Sequence, residues 1–129
     1  MKRFLAPLVL AAALPFVLGG CIRYNIGNDG TTRLRIGETG TAATGVSVTP
    51  LTILEDSRCA AGVQCVWAGQ VRVSVRLTTN GASETREFVS AKAQQVAGGT
   101  LTLSDVYPPK QKGVTIFPDE YRFGFTFQH

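Results

Sequence analysis

The sequence has few of the residues on which catalysis usually depends. Its 129 residues include one histidine, one tryptophan, one methionine and three cysteines. The histidine is His129, the last residue, where a chain end frays, so a serine or cysteine nucleophile has no firmly placed imidazole to activate it. The adjacent carboxylates at 55–56 and 119–120 would point to opposite faces of a strand, which does not suit an acid and base pair. We predict a non-enzymatic protein with no catalytic residue and no cofactor.

The sequence also has few residues that could form a metal site or a redox site. A metal site would need Cys59 and Cys65 with two further ligands, for which Asp56 and His129 are the candidates. In an oxidising compartment the two thiols pair with each other before they bind a metal. Their Cys-x5-Cys spacing also differs from the Cys-x-x-Cys of thiol-exchange proteins. We therefore predict no metal site.

The charge balance is small. The formal net charge is +4, and it falls to +2 once Lys2 and Arg3 are removed with the N-terminal leader predicted below. Nucleic-acid binding depends on many basic contacts with phosphates. We therefore expect no nucleic-acid partner.

The N-terminus has the pattern of a bacterial leader. Lys2 and Arg3 precede an apolar run over 4–18 that is shorter than the about 20 residues of a spanning helix. The run ends in the letters LGGC, where the cysteine is Cys21, and this resembles the lipobox of bacterial lipoproteins. The resemblance implies that residues 1–20 are a cleaved signal peptide and that Cys21 is acylated. The alternative is a plain secretory leader.

Lipidation has consequences for location. Two or three acyl chains hold a protein lastingly on a membrane, whereas one chain does so only marginally. Ile22, not an aspartate, follows Cys21. In the lipoprotein sorting rule that the resemblance brings in, this favours the outer membrane, with the domain facing the periplasm. We expect a lipid-anchored protein of the bacterial cell envelope.

The cysteine count agrees with lipidation. Three cysteines are an odd number for an exported protein, and acylation of Cys21 leaves Cys59 and Cys65 as one disulfide pair. Gly62 lies between them and permits the chain reversal that the bridge requires. Closing this loop would contribute about 2.4 kcal/mol in the chain-entropy model.

The residues around this pair carry a second resemblance. The letters DSRC over 56–59 and CVWAG over 65–69 are separated by five residues. This signature resembles one found in small uncharacterised exported bacterial proteins, in which a proline often stands where this chain has Ala60. The resemblance implies an exported protein and brings no activity with it.

Alternating patterns predict the fold. Apolar residues recur at every second position from Cys65 through Trp67 to Leu77, which predicts one long strand with Trp67 inside the core. The alternative for Trp67 is an exposed indole that stacks on a sugar or an aromatic ligand. Pro50 implies that the strand around it is an edge strand or contains a bulge. Asn80-Gly81 predicts a tight hairpin.

The C-terminal stretch alternates most regularly of all, and we predict that its aromatic residues fill the core: Tyr121, Phe123, Phe125 and Phe127. Short strands separated by turn signals predict an all-β fold, a small single-domain antiparallel sandwich or barrel. An immunoglobulin-like arrangement is one form of it. We assign residues 21–32 to a flexible tether and residues 33–129 to the β domain.

Two surfaces are candidates for binding. The bridged loop exposes a recognition segment formed by Gly62, Val63 and Gln64. A basic patch for anionic envelope polymers or lipid phosphates would form if the first strand lay beside the strand after the bridge, and its members would be Arg33, Arg35, Arg72 and Arg76. We expect a non-enzymatic structural or binding module. The alternative is a periplasmic inhibitor or protein-recognition module that uses the bridged loop between Cys59 and Cys65.

Overall fold

The computed structural model describes residues 29–129. The predicted signal peptide, the lipidation site Cys21 and the first part of the predicted tether lie outside the described residues. Between residues 29 and 129 the chain forms eight strands: β1 (Thr32–Leu34), β2 (Gly40–Ala43), β3 (Val46–Asp56), β4 (Val71–Thr79), β5 (Ala82–Val89), β6 (Ala93–Val96), β7 (Gly99–Tyr107) and β8 (Arg122–Gln128). A short 3-10 helix, Pro118–Glu120, precedes β8.

The strands form two antiparallel sheets. Sheet A has the order β1-β8-β7-β6, and sheet B has the order β2-β3-β4-β5. Sheet B is a simple meander, in contrast to an immunoglobulin sandwich, whose sheets place strands that are not consecutive side by side. The prediction of an all-β antiparallel sandwich is confirmed.

The core lies between the two sheets and follows the predicted alternation. Val71, Val73 and Val75 on β4 face it from sheet B, and Phe123 and Phe125 face it from sheet A. Phe125 meets Phe88 of β5 edge to face, with ring centroids 5.8 Å apart, an arrangement that aromatic pairs prefer. Tyr121 is also buried, and Phe127 packs against the core from its margin. The core assignment of the C-terminal aromatics is thus confirmed.

The structure also tests the predictions made for the Asn80-Gly81 turn and for Pro50. Asn80 and Gly81 both have positive φ values, 49° and 85°, as the tight hairpin between β4 and β5 requires. Pro50 is buried in β3, and the register with β4 shifts between Pro50 and Thr52. Because β3 lies between β2 and β4, the proline marks a bulge and not an edge.

The domain begins earlier than predicted. Thr31 and Thr32 are buried, and β1 starts at Thr32, so the predicted tether does not extend to residue 32. Asp29 already contacts the domain, because its carboxylate accepts a 2.8 Å hydrogen bond from Arg33 Nη2. Within the described residues, no helix has the length and hydropathy to span a membrane.

Candidate functional site

Two long loops meet at one end of the sandwich. The disulfide loop (57–70) joins β3 to β4 in sheet B, and the β7–β8 loop (108–121) joins strands of sheet A. Both far exceed the about 2–5 residues of an ordinary hairpin connection, and loops of such length in compact domains are usually functional. We call the surface that they form the loop end.

The base of the disulfide loop is closed by backbone contacts. Ser57 N donates to the carbonyl oxygen of Gln70 at 2.9 Å, and Gln70 N donates to Ser57 Oγ at 3.0 Å. Gly69 lies against the backbone of Ser57 so closely that a methyl group there would overlap the Ser57 carbonyl. Only glycine permits this approach. The loop is thus fixed where it leaves the sheet.

The predicted disulfide is present. Cys59 and Cys65 are bonded, with their Cα atoms 6.0 Å apart, and both residues are exposed. The bridge therefore stabilises the outer part of the loop and not the core. It closes a small ring from which the chain continues through Val66 and Trp67 to the base of the loop.

The predicted position of Trp67 is wrong. The strand begins at Val71, not at Cys65, because the close approach of Gly69 to Ser57 interrupts the alternating pattern. Trp67 is 76% exposed and Val66 is 93% exposed. The indole is therefore presented to solvent, as the alternative interpretation required.

A polar cluster beneath the loops ties the two sheets together. Asp56, at the end of β3, is paired with Arg58 at 2.9 Å, and Tyr121 Oη donates a 2.7 Å hydrogen bond to the same carboxylate oxygen, Oδ2. Arg58 Nη1 also donates to the carbonyl oxygen of Val106 in sheet A, at 2.9 Å. The Asp56 side chain is only 8% exposed. The cluster is therefore a shielded bridge between the sheets.

This cluster shifts two pKa values. Burial opposes ionisation of Asp56, but the hydrogen bonds from Arg58 and Tyr121 outweigh it and lower the pKa of Asp56 to about 2. Burial, together with the hydrogen bond to Asp56, raises the pKa of Tyr121 to about 12. The carboxylate is thus charged and the phenol neutral at physiological pH, and both support the loops without being exposed to a ligand.

The two loops also contact each other directly. Ala61 N donates to the carbonyl oxygen of Lys110 at 2.9 Å, which forms a parallel bridge between Ala61 and Gln111. Lys110 Nζ donates to the Asp56 carbonyl oxygen at 2.8 Å. These contacts fix the disulfide loop against the β7–β8 loop, so the loop end is an ordered surface.

The β7–β8 loop has internal order of its own. Glu120 Oε2 accepts a 2.6 Å hydrogen bond from Phe117 N at the start of the 3-10 helix. Ile116 packs against the core, and its neighbour Phe117 remains 62% exposed. The loop therefore holds one side chain inward and presents the next one outward.

Exposed apolar residues are concentrated at this end. Among residues 29–129, the large hydrophobic side chains that are exposed all lie in or beside the two loops: Leu54, Val63, Val66, Trp67, Tyr107, Val114 and Phe117. Isolated exposed apolar residues are normal, but their concentration on one surface marks an interaction site. The loop end is therefore our candidate functional site.

The predicted recognition segment forms part of this surface. Gly62, Val63 and Gln64 are all exposed within the bridged ring. The predicted segment did not include Trp67 or Phe117, which are larger and also exposed. One sequence signal could have revealed Trp67: Gly69 permits a break in the strand, and such a break releases the indole from the core face.

The predicted basic patch does not form. Arg33 lies on β1 of sheet A, and Arg35 follows that strand. Arg72 and Arg76 lie on β4 of sheet B, and β1 and β4 are not neighbours. Arg33 and Arg72 are also paired with carboxylates, Arg33 with Asp29 and Asp105 and Arg72 with Glu87. Arg35, directly after β1, and Arg76, on β4, are both exposed. The outward direction of these side chains was predictable, but the neighbouring strands were not.

No family model, no curated protein and no solved structure matches this chain. The described part of the chain contains no group of three or more side chains that could hold a metal ion. The proposals below therefore depend on the geometry of the loop end and on the sequence motifs.

Proposed function

We propose that this protein is a lipid-anchored, non-enzymatic binding module of the bacterial envelope, and that the loop end is its binding surface. The observation that supports this proposal is the concentration of exposed apolar side chains on the two loops. Large aromatic anchors surrounded by smaller contacts are typical of binding surfaces. The resemblance of residues 18–21 to a lipobox supports the anchor.

The construction of the loop end favours binding over a purely structural role. Two exposed loops would lose conformational freedom on binding, which lowers affinity. Here the bridge between Cys59 and Cys65, the closed base at Ser57 and the contact between Ala61 and Lys110 fix the surface beforehand. A binding surface gains from such preorganisation.

In situ photo-crosslinking tests the proposal. A photoreactive amino acid replaces Val66 in the full-length protein, which is expressed in its own cells. We expect a defined adduct, either a shifted band for a protein or a mass increment for a lipid. The control places the same group at Thr85, which is exposed on β5 away from both loops. Equal yields at the two positions, or no adduct at Val66, would contradict the proposal.

A further inference from the structure

We propose that the bridge between Cys59 and Cys65 is a reversible thiol switch, which a dithiol protein of the envelope reduces and which thereby controls the order of the loop end. This inference rests on the proposed function, because it names how the binding surface is regulated. Three observations carry it: the exposure of the bridge, the cations beside it, and the closure of the loop base by contacts that involve no sulfur.

The bridge is open to attack from solvent. Cys59 and Cys65 are both exposed, and so is every residue from 61 to 68. A thiolate must reach one sulfur of a disulfide directly, so exposed bridges are the ones that are reduced readily. The two cysteines are also separated by only 6 positions in the sequence. A short ring restricts the unfolded chain less than a long one, so the fold opposes reduction only weakly.

The surroundings of the bridge favour an approaching thiolate. The disulfide loop has no acidic residue, and the parallel bridge between Ala61 and Gln111 brings the β7–β8 loop against the ring. Lys110 and Lys112 flank Gln111. The Lys110 ammonium donates to a backbone carbonyl oxygen and not to a carboxylate, and Lys112 is exposed. Nearby cations stabilise thiolates and thereby promote exchange.

Reduction opens the ring without releasing the sheets. The base of the loop is closed by Ser57 N, which donates to the carbonyl oxygen of Gln70 at 2.9 Å, and by the close packing of Gly69 on the Ser57 backbone. Neither contact involves a cysteine. The loss of order on reduction is therefore confined to the exposed part of the loop, between the base and the tip of the ring.

This part of the loop includes the exposed indole. Trp67 lies two positions after Cys65 and two positions before Gly69, so its segment is fixed at one end by the bridge and at the other by the base. Reduction removes the first of these constraints. A segment that has become free must be ordered again on binding, which lowers affinity. The bridged protein is therefore the binding form, and the reduced protein is the weak one.

The exchange is a balanced two-electron step. A thiolate of the dithiol protein attacks one sulfur of the bridge, the S–S bond breaks, and the other cysteine leaves as a thiolate that takes up a proton. The second thiol of the dithiol protein then loses its proton and displaces the first cysteine, which is protonated in turn. Two electrons and two protons thus pass to Cys59 and Cys65, and the donor becomes a disulfide. The reverse reaction restores the bridge.

The rate of reduction in the folded protein tests the exposure of the bridge. Dithiothreitol is the dithiol probe, and it acts on the full-length protein. Free thiols are blocked with iodoacetamide at successive times and quantified at Cys59 and Cys65 by peptide mass spectrometry. We expect the rate without denaturant to lie within about tenfold of the rate in concentrated urea, because the sulfurs are already accessible. Reduction that occurs only in urea would overturn the inference.

Trp67 is the only tryptophan of the chain and reports on the loop. We expect reduction to add a fast component to its fluorescence anisotropy decay, and glutathione disulfide to remove that component again. Trp67→Phe combined with Thr85→Trp moves the single indole to an exposed position on β5, away from both loops, where the decay should not respond. An unchanged decay for Trp67, or the same response from both reporters, would contradict the switch.

Photo-crosslinking at Val66 separates this inference from the proposed function. The same photoreactive group is placed in the variant with Cys59→Ser and Cys65→Ser, which cannot form the bridge. We expect a severalfold lower yield of adduct than in the bridged protein. Equal yields would overturn the switch and leave the loop end a binding surface. No adduct in either protein would contradict the proposed function, whereas reduction of the native bridge and the response of Trp67 would still support a redox-sensitive loop.

Discussion

The hydroxyl of Tyr121 donates a 2.7 Å hydrogen bond to Oδ2 of Asp56, and this bond joins the two sheets beneath the loop end. Tyr121 is the last residue of the β7–β8 loop, and Asp56 is the last residue of β3 before the disulfide loop. This one contact thus fixes the start of the disulfide loop against the end of the β7–β8 loop. The stability of the domain and the order of the loop end should both depend on this bond.

Removal of the phenolic hydroxyl tests this link. Tyr121→Phe deletes a hydrogen bond to a charged acceptor, and such bonds contribute about 1.5–3 kcal/mol. We expect the free energy of unfolding in urea to fall by that amount. Tyr107→Phe is the matched control, because Tyr107 is mostly exposed and the change should leave stability unaltered. Equal effects of the two substitutions would contradict the assignment.

Acid should destabilise the domain through Asp56. Its pKa is about 2 in the folded protein against an ordinary value of 3.8. The stabilisation is therefore present above pH 3.8 and is lost as the pH falls towards 2, which amounts to about 2 kcal/mol. Urea titrations from pH 5 to pH 2 measure the slope, with Asp56→Asn as the variant in which it should flatten.

A control keeps this slope interpretable. The pKa of Asp29 is also lowered to about 2, chiefly by its hydrogen bond from Arg33, but this carboxylate is exposed. Asp29→Asn should therefore leave most of the acid slope in place. If the slope instead disappeared in Asp29→Asn and persisted in Asp56→Asn, the acid sensitivity would come from Asp29, and our assignment to Asp56 would be wrong.

Gly69 should be required for the closed base of the disulfide loop. In Gly69→Ala the new methyl group overlaps the Ser57 carbonyl, and it also crowds the amide nitrogen of Arg58. Overpacking of this kind costs about 1–3 kcal/mol, and it should release Arg58 from the polar cluster. We expect faster trypsin cleavage after Arg58, measured by mass spectrometry.

The control for this prediction is Gly62→Ala. Gly62 has φ +83° and open space around its Cα, so alanine adds backbone strain of about 1 kcal/mol without a clash. Stability should fall slightly, while cleavage after Arg58 stays slow. If both variants are cleaved at the same rate, Gly69 has no special role at the base.

Loss of the disulfide should loosen the loop and leave the sheets intact. The pair Cys59→Ser and Cys65→Ser should lower the free energy of unfolding by about 2.4 kcal/mol in the chain-entropy model. The hydrogen bond that closes the base, from Ser57 N to the carbonyl oxygen of Gln70, involves neither cysteine, so we expect the far-ultraviolet circular dichroism spectrum to stay unchanged. A spectrum of an unfolded chain would show that the bridge supports the whole fold.

The lipid anchor gives a separate prediction. Mass spectrometry of the protein from purified membranes should show a chain that begins at Cys21 and carries a diacylglyceryl group and an amide-linked acyl chain. Cys21→Ser should block this processing, whereas the double substitution of Cys59 and Cys65 should not. An unmodified Cys21 in the membrane fraction would contradict the proposed anchor.

Much of the fold could be predicted, because its determinants are local. The hairpin follows from Asn80-Gly81, whose two residues accept positive φ. The core face of β8 follows from strict alternation of aromatic with small or polar residues. The disulfide follows from the count of cysteines and from Gly62, which allows the chain to reverse between them.

The errors concern contacts that alternation cannot reveal. The alternating pattern extends from Cys65 to Leu77 and therefore predicts that the strand includes Trp67. The strand does not, because Gly69 lies against the backbone of Ser57, and an alternating pattern carries no information about that contact. The basic patch required β1 beside β4, whereas β1 pairs with β8. Neighbours in a sheet depend on how the whole chain is arranged, and a strand's own residues do not specify them.

The pairing of β1 with β8 also constrains biosynthesis. β8 leaves the ribosome after every other described strand, yet it lies in the middle of sheet A, between β1 and β7. A nascent chain therefore cannot complete that sheet until β8 has been released, because the pairing of β1 with β8 is non-local. β1 and β7 lack their shared neighbour until then, whereas the consecutive strands of sheet B can pair as they emerge.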